Sequence, residues 1–309
     1  MNQPILAPNE IVPLDKISYP KMASYKLDGN RCIVMNGELL TRNMKPQGNK
    51  KLTEYFSEIC RISKKYNVIF DGEIYAPILE FNELQTYIRT HDLDIPPRIE
   101  LKYYMFDCIP AADWNKKGGL EYMDRLTALR TIVESENIPN VECLKQVVCK
   151  TQEQTETLFA KALACGFEGL ILRNPNGLYK NGRCTVKQDN IFKLKEFETV
   201  DAKIVSFNSR SVMKEDAPRS RGETGELKRV NKKEYREESD DLGSITVETK
   251  DGIRVGIGLG KGTTQEYRLD LWQNRDKYIG KYLEFKYMPH GTKDLPRIGT
   301  FVRFRPDKD

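Results

Sequence analysis

Lys26 stands two residues before an Asp-Gly pair and five before an arginine, in the stretch SYKLDGNRC. A lysine that attacks an electrophile must be deprotonated, and neighbouring cations or a bound metal favour that state. The same stretch also fits an ordinary hairpin, because Asp-Gly between strand formers is a strong turn signal. The two readings part on whether other segments supply chemical partners.

Three segments do. In FDGEIY, period-two alternation sends Asp71 and Glu73 to one strand face, opposite Phe70, Gly72 and Ile74. In NIFKLKEF the same geometry sets Lys193 and Lys195 together, opposite Phe192 and Leu194. FEGLILRN places Glu168 at the start of an otherwise apolar strand. Singly, each fits the wet face of an amphipathic strand. Together they offer cations for phosphates, carboxylates for a metal or ribose, and an aromatic for a base, a set suited to attack on a nucleotide phosphorus. The glycine-rich GIGLGKGTT is not a phosphate-binding P-loop, because Val255 and Gly262 stand where that motif needs Gly and Ser or Thr. It lies between strand patterns and reads as a strand of a barrel.

Helices and strands must position these residues. KLTEYFSEICRISKKY (51–66) lines Leu52, Tyr55, Phe56, Ile59 and Ile62 along one helical face, and residues 120–137 repeat that spacing. TQEQTETLFAKALACG opens with a capping-box pattern, Thr151 to Gln154, and stops at Gly166. Short strand-like runs lie between: NVIFDGEIY, LKYYMFDCI, EGLILRN and NIFKLKEF. After about residue 198, GSITVET, IRVGIGLG, KYLEFKYM and TFVRFR read as strands joined by Gly, Pro and Asp turns, interrupted by one helix, TQEYRLDLWQNRDKYI. Five or so strands with one helix suit a small Greek-key barrel of the OB type. Residues 208–242 are polar and poor in large apolar side chains, and read either as a disordered surface loop or as an arm that orders on a phosphate backbone.

Composition narrows the classes further. The 309 residues allow two modest domains, and the net charge of +5 is too small to mark a nucleic-acid binder by itself. From Lys203 to Arg236, however, ten basic residues face five acidic ones, which points to a local polyanion contact. Seven scattered cysteines and two histidines make a zinc site or His-based catalysis a poor fit, and reduced structural thiols a good one. No apolar run is long enough to span a bilayer and the first residues lack a signal-peptide pattern, so an intracellular protein with no membrane partner is expected. Nothing signals an obligate oligomer, and a monomer is expected.

The ordered set KLDGNR, TRN, FDGEIY, YYMFDCI, FEGLILRN, IFKLKEF and RPDK resembles the covalent nucleotidyltransferases, and most closely the ATP-dependent DNA ligases of minimal viral type. The likeness covers nearly the whole chain. It implies an α+β fold: a nucleotidyltransferase (adenylation) domain of antiparallel sheets flanked by helices over 1–198, then an all-β OB-fold domain over 199–309 with a DNA-encircling latch at about 208–242. With the lysine 26 residues from the start, no separate DNA-binding domain is expected before it. The resemblance further implies that Lys26 forms the lysyl–AMP bond, while Asp28, Arg31 and Glu73 organise the ribose and Phe106 stacks on adenine. Ser24 would lie near the adenine amino group, Glu168 and Asp71 (beside Glu73 in the same motif) would serve the metal, and Lys193 and Lys195 would meet the α-phosphate. Arg42 and Arg183 would hold the 5′-phosphate of nicked duplex DNA, and Arg305, Asp307 and Lys308 would orient pyrophosphate. ATP and Mg²⁺, with Mn²⁺ an alternative, are the implied cofactors. An mRNA guanylyltransferase or an RNA ligase shares much of this chemistry, and an inactive OB-fold binding module is the rival from another class.

Overall fold

A computed structural model describes residues 3–116, 118–221, 227–230, 232–260, 263–288 and 297–308. The chain divides into two compact units, Met1–Lys195 and Glu196–Asp309.

The first unit opens with β1 (Ile5–Leu6), β2 (Lys21–Tyr25), β3 (Asn30–Met35) and β4 (Glu38–Thr41). Two helices follow, α1 (Lys51–Tyr55) and α2 (Ser57–Tyr66), where the spacing predicts one; the chain breaks at Phe56, which leaves the helical region with φ −106° and ψ 28°. Then come β5 (Val68–Tyr75), α3 (Phe81–Arg89), β6 (Lys102–Pro110), α4 (Tyr122–Glu136), β7 (Val141–Cys143) and β8 (Val147–Cys149). The unit finishes with α5 (Gln152–Ala164), β9 (Gly169–Arg173), β10 (Gly182–Arg183) and β11 (Ile191–Lys195). Of these helices, α3 has no counterpart in the sequence reading, although Glu80 and Glu83 form its capping box. At α5 the Thr151 hydroxyl accepts from the Gln154 N–H, as the sequence pattern suggests.

Two sheets carry most of the residues expected at the site. One has the order β4-β3-β5-β6-β7, the other β11-β9-β2-β8. In the first, Cys32, Val34, Phe70, Ile74, Tyr103 and Met105 pack on Leu52, Phe56, Ile59, Leu126 and Leu129 of the helices. In the second, Ala23, Leu170, Leu172, Phe192 and Leu194 share a core with Ala162 of α5. A third cluster joins the remaining faces of the two sheets: Ile33, Ile69 and Ile109 from one meet Ile191 from the other, with Ile5 and Tyr179. Period-two alternation in each strand therefore buries one side against helices and turns the other toward the opposite sheet.

The second unit comprises β12 (Glu198–Met213), β13 (Arg219–Arg221), β14 (Leu227–Arg229), β15 (Arg236–Glu248), β16 (Arg254–Gly258), α6 (Gln265–Gln273), β17 (Tyr282–Met288) and β18 (Arg297–Phe304). Five of the strands close into a barrel, β12-β15-β16-β18-β17, filled by Ile204, Ile245, Val247, Ile257, Leu283 and Phe285 together with Leu271 of α6. The glycine-rich run begins in β16, a barrel strand that takes in Gly256, Ile257 and Gly258. The polar segment 208–242 is mostly strand where it is described, with a turn between β12 and β13. β12 and β15 continue past the barrel as a paired ribbon, Ser211 opposite Glu238 and Met213 opposite Arg236, and β13 pairs with β14 beyond it.

All seven cysteines are free. Burial pushes the thiols of Cys32 and Cys108 up to about 12 and that of Cys60 up to about 11, so these three are inert packing groups at neutral pH. Among the described residues, no helix is long and apolar enough to cross a membrane.

Gly169, the first residue of β9, has φ +141°, and a Cβ there would lie 2.1 Å from the Leu194 carbonyl oxygen and 2.9 Å from the Phe159 ring. Gly166 has φ +80° with open space around it. Gly169→Ala is therefore expected to lower stability by about 2 kcal/mol or more through strain and displacement of β11. Gly166→Ala should lose only the left-handed preference, about 1 kcal/mol. Thermal melting of the two variants checks the difference.

Candidate active site

The register of β2, β9 and β11 brings the first three site residues together. The Lys26 N–H donates to the Gly169 carbonyl at 2.9 Å, and the Glu168 N–H donates to the Lys26 carbonyl at 3.2 Å. Lys195 is the cross-strand partner of Gly169 on the other side of β9. With its backbone clamped in this way, the Lys26 ammonium donates to the Glu168 carboxylate, which is itself buried. The sequence leads one to expect cations around the nucleophile; the structure adds an acid as its direct partner. Ser24, buried on the same strand two residues before Lys26, pairs with Ile171.

The facing sheet supplies the carboxylates. Arg31 on β3 and Glu73 on β5 are cross-strand partners, and the Gly29 N–H donates to Glu73 Oε1 at 3.1 Å. Burial pushes the Glu73 carboxyl above the usual carboxylate range, against the pull of the Lys26 and Arg31 charges. Asp28 adds negative charge beside it.

Asp71 departs from the expected role. It is fully buried, and its two oxygens accept from Arg31 Nε and Nη2, each at 2.6 Å; Oδ2 also accepts from the Tyr179 hydroxyl at 2.8 Å. Burial opposes the Arg31 charge, but Asp71 outweighs it and raises the guanidinium pKa above its ordinary value. A carboxylate engaged on both oxygens does not fit a metal ligand, and Asp71 orients Arg31 instead. Glu168 does fit: it is a buried carboxylate beside the lysine, and Mg²⁺ is commonly held by one or two carboxylates with substrate phosphates and water supplying the rest. Among the described residues there is no cluster of three or more His, Cys, Asp or Glu that could hold a metal ion.

Phe106 owes its position to a β-bulge. Asp71 pairs with Asp107 but Gly72 pairs with Met105, so Phe106 is the extra residue in β6. Such insertions re-aim side chains next to functional sites. The Phe106 ring lies 4.8 Å from the Arg31 guanidinium carbon and 5.0 Å from that of Arg173.

Sequence reasoning missed a buried charge cluster behind this ring. Asp107 accepts from Arg125 Nε at 2.7 Å and Nη2 at 3.1 Å, and from Arg173 Nη1 at 3.2 Å. Arg125 also donates to the Leu120 and Gly177 carbonyls. Tyr179, and the buried ion pair of Lys21 with Asp189 at 2.6 Å, were missed as well. Period-two spacing from Ile171 to Arg173 was a usable signal for Arg173; nothing local pointed to Arg125.

The other expected residues lie as follows. Lys193 donates to the Pro8 and Asn9 carbonyls at 2.5 and 3.0 Å, and Arg183 Nη1 to the Ala7 carbonyl at 2.6 Å. Arg42 follows β4 and is exposed. In the second unit, Arg305 Nη1 donates to Asp201 Oδ1 at 3.0 Å and Lys308 pairs with the same carboxylate. The Asp307 side chain lies outside the described residues.

Comparison with known proteins agrees with this geometry. Residues 9–195 match the model of the ATP dependent DNA ligase domain, and residues 237–305 match the DNA ligase OB-like domain. A DNA ligase of Haemophilus influenzae is 26% identical over 282 residues, spanning 91% of this chain and 85% of that protein. The DNA ligase of Enterobacteria phage T4 is 24% identical over 193 residues, 60% of this chain; the chain spans 33% of that relative's length. A crystal structure of Chlorella virus DNA ligase-adenylate superposes with a TM-score of 0.54 at 25% identity, covering 100% of this chain and 99% of that one. A Lig E DNA ligase structure shares the fold at 22% identity, with a TM-score of 0.65 over 92% of each chain. With the ligase-domain model matching more than half of its length, the chain belongs to the ATP-dependent DNA ligase family.

The Asp107 cluster has a measurable weight. Asp107→Asn removes the one negative charge between Arg125 and Arg173 and leaves two buried cations, which is expected to lower stability by about 3–5 kcal/mol. Urea unfolding at neutral pH reads this directly, and a cost below about 1 kcal/mol would mean that the cluster is hydrated rather than buried.

Proposed function

We propose that this chain is an ATP-dependent DNA ligase that seals 3′-hydroxyl/5′-phosphate nicks in duplex DNA, acting as a monomer inside the cell. The observation that carries the reading is Lys26, bonded through its backbone to Glu168 and Gly169 and through its ammonium to the Glu168 carboxylate, with the charges of Lys26 and Arg31 both acting on Glu73.

In the first step Lys26 Nζ attacks the α-phosphorus of ATP, forming a P–N bond and breaking the bond to pyrophosphate. An ammonium held on a carboxylate has no lone pair to give, so Lys26 must leave Glu168 without its proton before it attacks. Arg31 and Glu73 organise the ribose, Phe106 offers a flat face to adenine with Ser24 near the base, and Lys193 and Lys195 meet the α-phosphate. Asp28 tunes the Glu73 side of the site. Asp71 serves by fixing Arg31. In the second step AMP passes to the 5′-phosphate at the nick, which Arg42 and Arg183 would hold. In the third the 3′-hydroxyl attacks the activated phosphate and displaces AMP. Arg305, Asp307 and Lys308 orient the pyrophosphate in step one. A divalent cation on Glu168, Mg²⁺ or Mn²⁺, would neutralise charge on the phosphoryl oxygens.

Incubation with α-labelled ATP or GTP and Mg²⁺ tests the reading. Label on the protein from ATP, abolished by Lys26→Ala, is expected; labelling from GTP alone would make the chain a guanylyltransferase, and none from either a binding module.

The arm at 208–242 carries its own expectation. Its basic residues suit phosphate contacts, each of which gains affinity by counterion release at low salt. Replacing 208–242 with a short turn should weaken nicked-duplex binding at least about tenfold while self-adenylylation stays within about twofold. Gel shift and labelling, run in parallel, separate a DNA contact from a general loss of fold.

A further inference from the structure

Arg31 is held along one edge and over one face. Asp71 accepts from Nε and Nη2 at 2.6 Å each, the Ile5 carbonyl accepts from Nη2 at 3.2 Å, and the Phe106 ring lies 4.8 Å from the guanidinium carbon. Nε and Nη2 are thus engaged, while Nη1 makes no hydrogen bond among the described residues. Asp71 is held in turn by Tyr179. The Tyr179 hydroxyl donates to Asp71 Oδ2 at 2.8 Å and accepts from the Ile5 N–H at 3.2 Å, so its single proton is committed to the carboxylate. The ring that carries this hydroxyl is buried, with its centroid 5.5 Å from that of Trp114.

We infer that Tyr179 is a positioning residue for the adenylylation step: through Asp71 it sets the angle at which Arg31 presents Nη1 to the ribose hydroxyls of ATP, an inference that rests on the ligase reading above. The physical case is the freedom that an ion pair leaves. The last torsion of an aspartate is broad, so a carboxylate bonded to one guanidinium can rock with it as a unit. A further donor, brought from the segment between β9 and β10, ends that motion. Asp107, the cross-strand neighbour of Asp71, is held by two guanidiniums instead. At Asp71 the hydroxyl supplies direction without a second cation to repel Arg31. A donor fixed to meet a substrate hydroxyl discriminates against an analogue that lacks it. Tyr179 therefore bears on the choice of nucleotide without touching the nucleotide.

Tyr179→Phe removes the hydroxyl and keeps the ring. Single-turnover self-adenylylation is read at subsaturating nucleotide, with ATP and with 2′,3′-dideoxy-ATP, which offers Arg31 no ribose hydroxyl. The variant is expected to lose about tenfold in rate with ATP and less than about twofold with the dideoxy analogue, so that its preference for ATP narrows. In an Arg31→Ala background the same change should cost less than about twofold with ATP, because Tyr179 acts through that arginine. Equal losses with the two nucleotides, or a full loss in the Arg31→Ala background, would make Tyr179 a packing residue only. No loss with ATP would leave Asp71 sufficient by itself, and an intact chain without a preference for ATP would leave nothing to position. Each of these overturns the proposal. If circular dichroism shows Tyr179→Phe unfolded, replacing Tyr179 by 4-fluorophenylalanine, which fills the hydroxyl's volume and donates nothing, is read by the same criteria. Failure of the intact chain to label from ATP overturns the ligase reading and this inference with it, whereas normal labelling with any of the outcomes above overturns the inference alone.

Discussion

The antiparallel ladder that meets at Gly169 is the constraint on which the rest of the site depends. The covalent chemistry proposed for Lys26 tolerates little error in position, and a lysine side chain has four rotatable carbons over which error accumulates. Here the error is limited at the root. Lys26 is bonded through its own backbone to Glu168 and Gly169, and Lys195 pairs with Gly169 from the far side. A residue with a Cβ at that crossing would push β9 from β11. The site thus begins as a matter of main-chain hydrogen bonds, and its charges are mounted on them.

The second sheet is held to the first by an apolar cluster, Ile33, Ile69 and Ile109 with Ile191, and its charged residues sit directly alongside. Burying an ionised group is costly, and this unit buries several: Asp71 under Arg31, Asp107 with both Arg125 and Arg173, and Lys21 on Asp189. Such pairs add little net stability over apolar packing, so their retention is better explained by orientation than by energy. Asp71 shows this most clearly. Its two oxygens set the plane of the Arg31 guanidinium, and Tyr179, held as a neutral phenol by burial and by Asp71, completes its surroundings.

Much of this was legible in the sequence, for reasons specific to each element. Period-two alternation placed Lys193 with Lys195 and Asp71 with Glu73, because strands show their faces in their spacing. The barrel and its helix were legible for the same reason. What did not show was anything set by pairing between distant segments. The bulge at Phe106 leaves no mark in YYMFDCI, Arg125 looks like any polar residue of an amphipathic helix, and the metal role suggested for Asp71 gave way to Arg31, 40 residues away in sequence. The arm at 208–242 was ambiguous because its strands carry few large apolar residues. They are held by a long ladder and by Arg210 on Asp241 rather than by a core.

That arm is built from the barrel's own staves. β12 and β15 run without interruption from the barrel wall into the ribbon, and the register irregularities between Ile204 and Ser211 mark where the ribbon bends out. It is therefore a cantilever, not a tethered loop. Any contact that loads the ribbon thus loads two barrel strands directly.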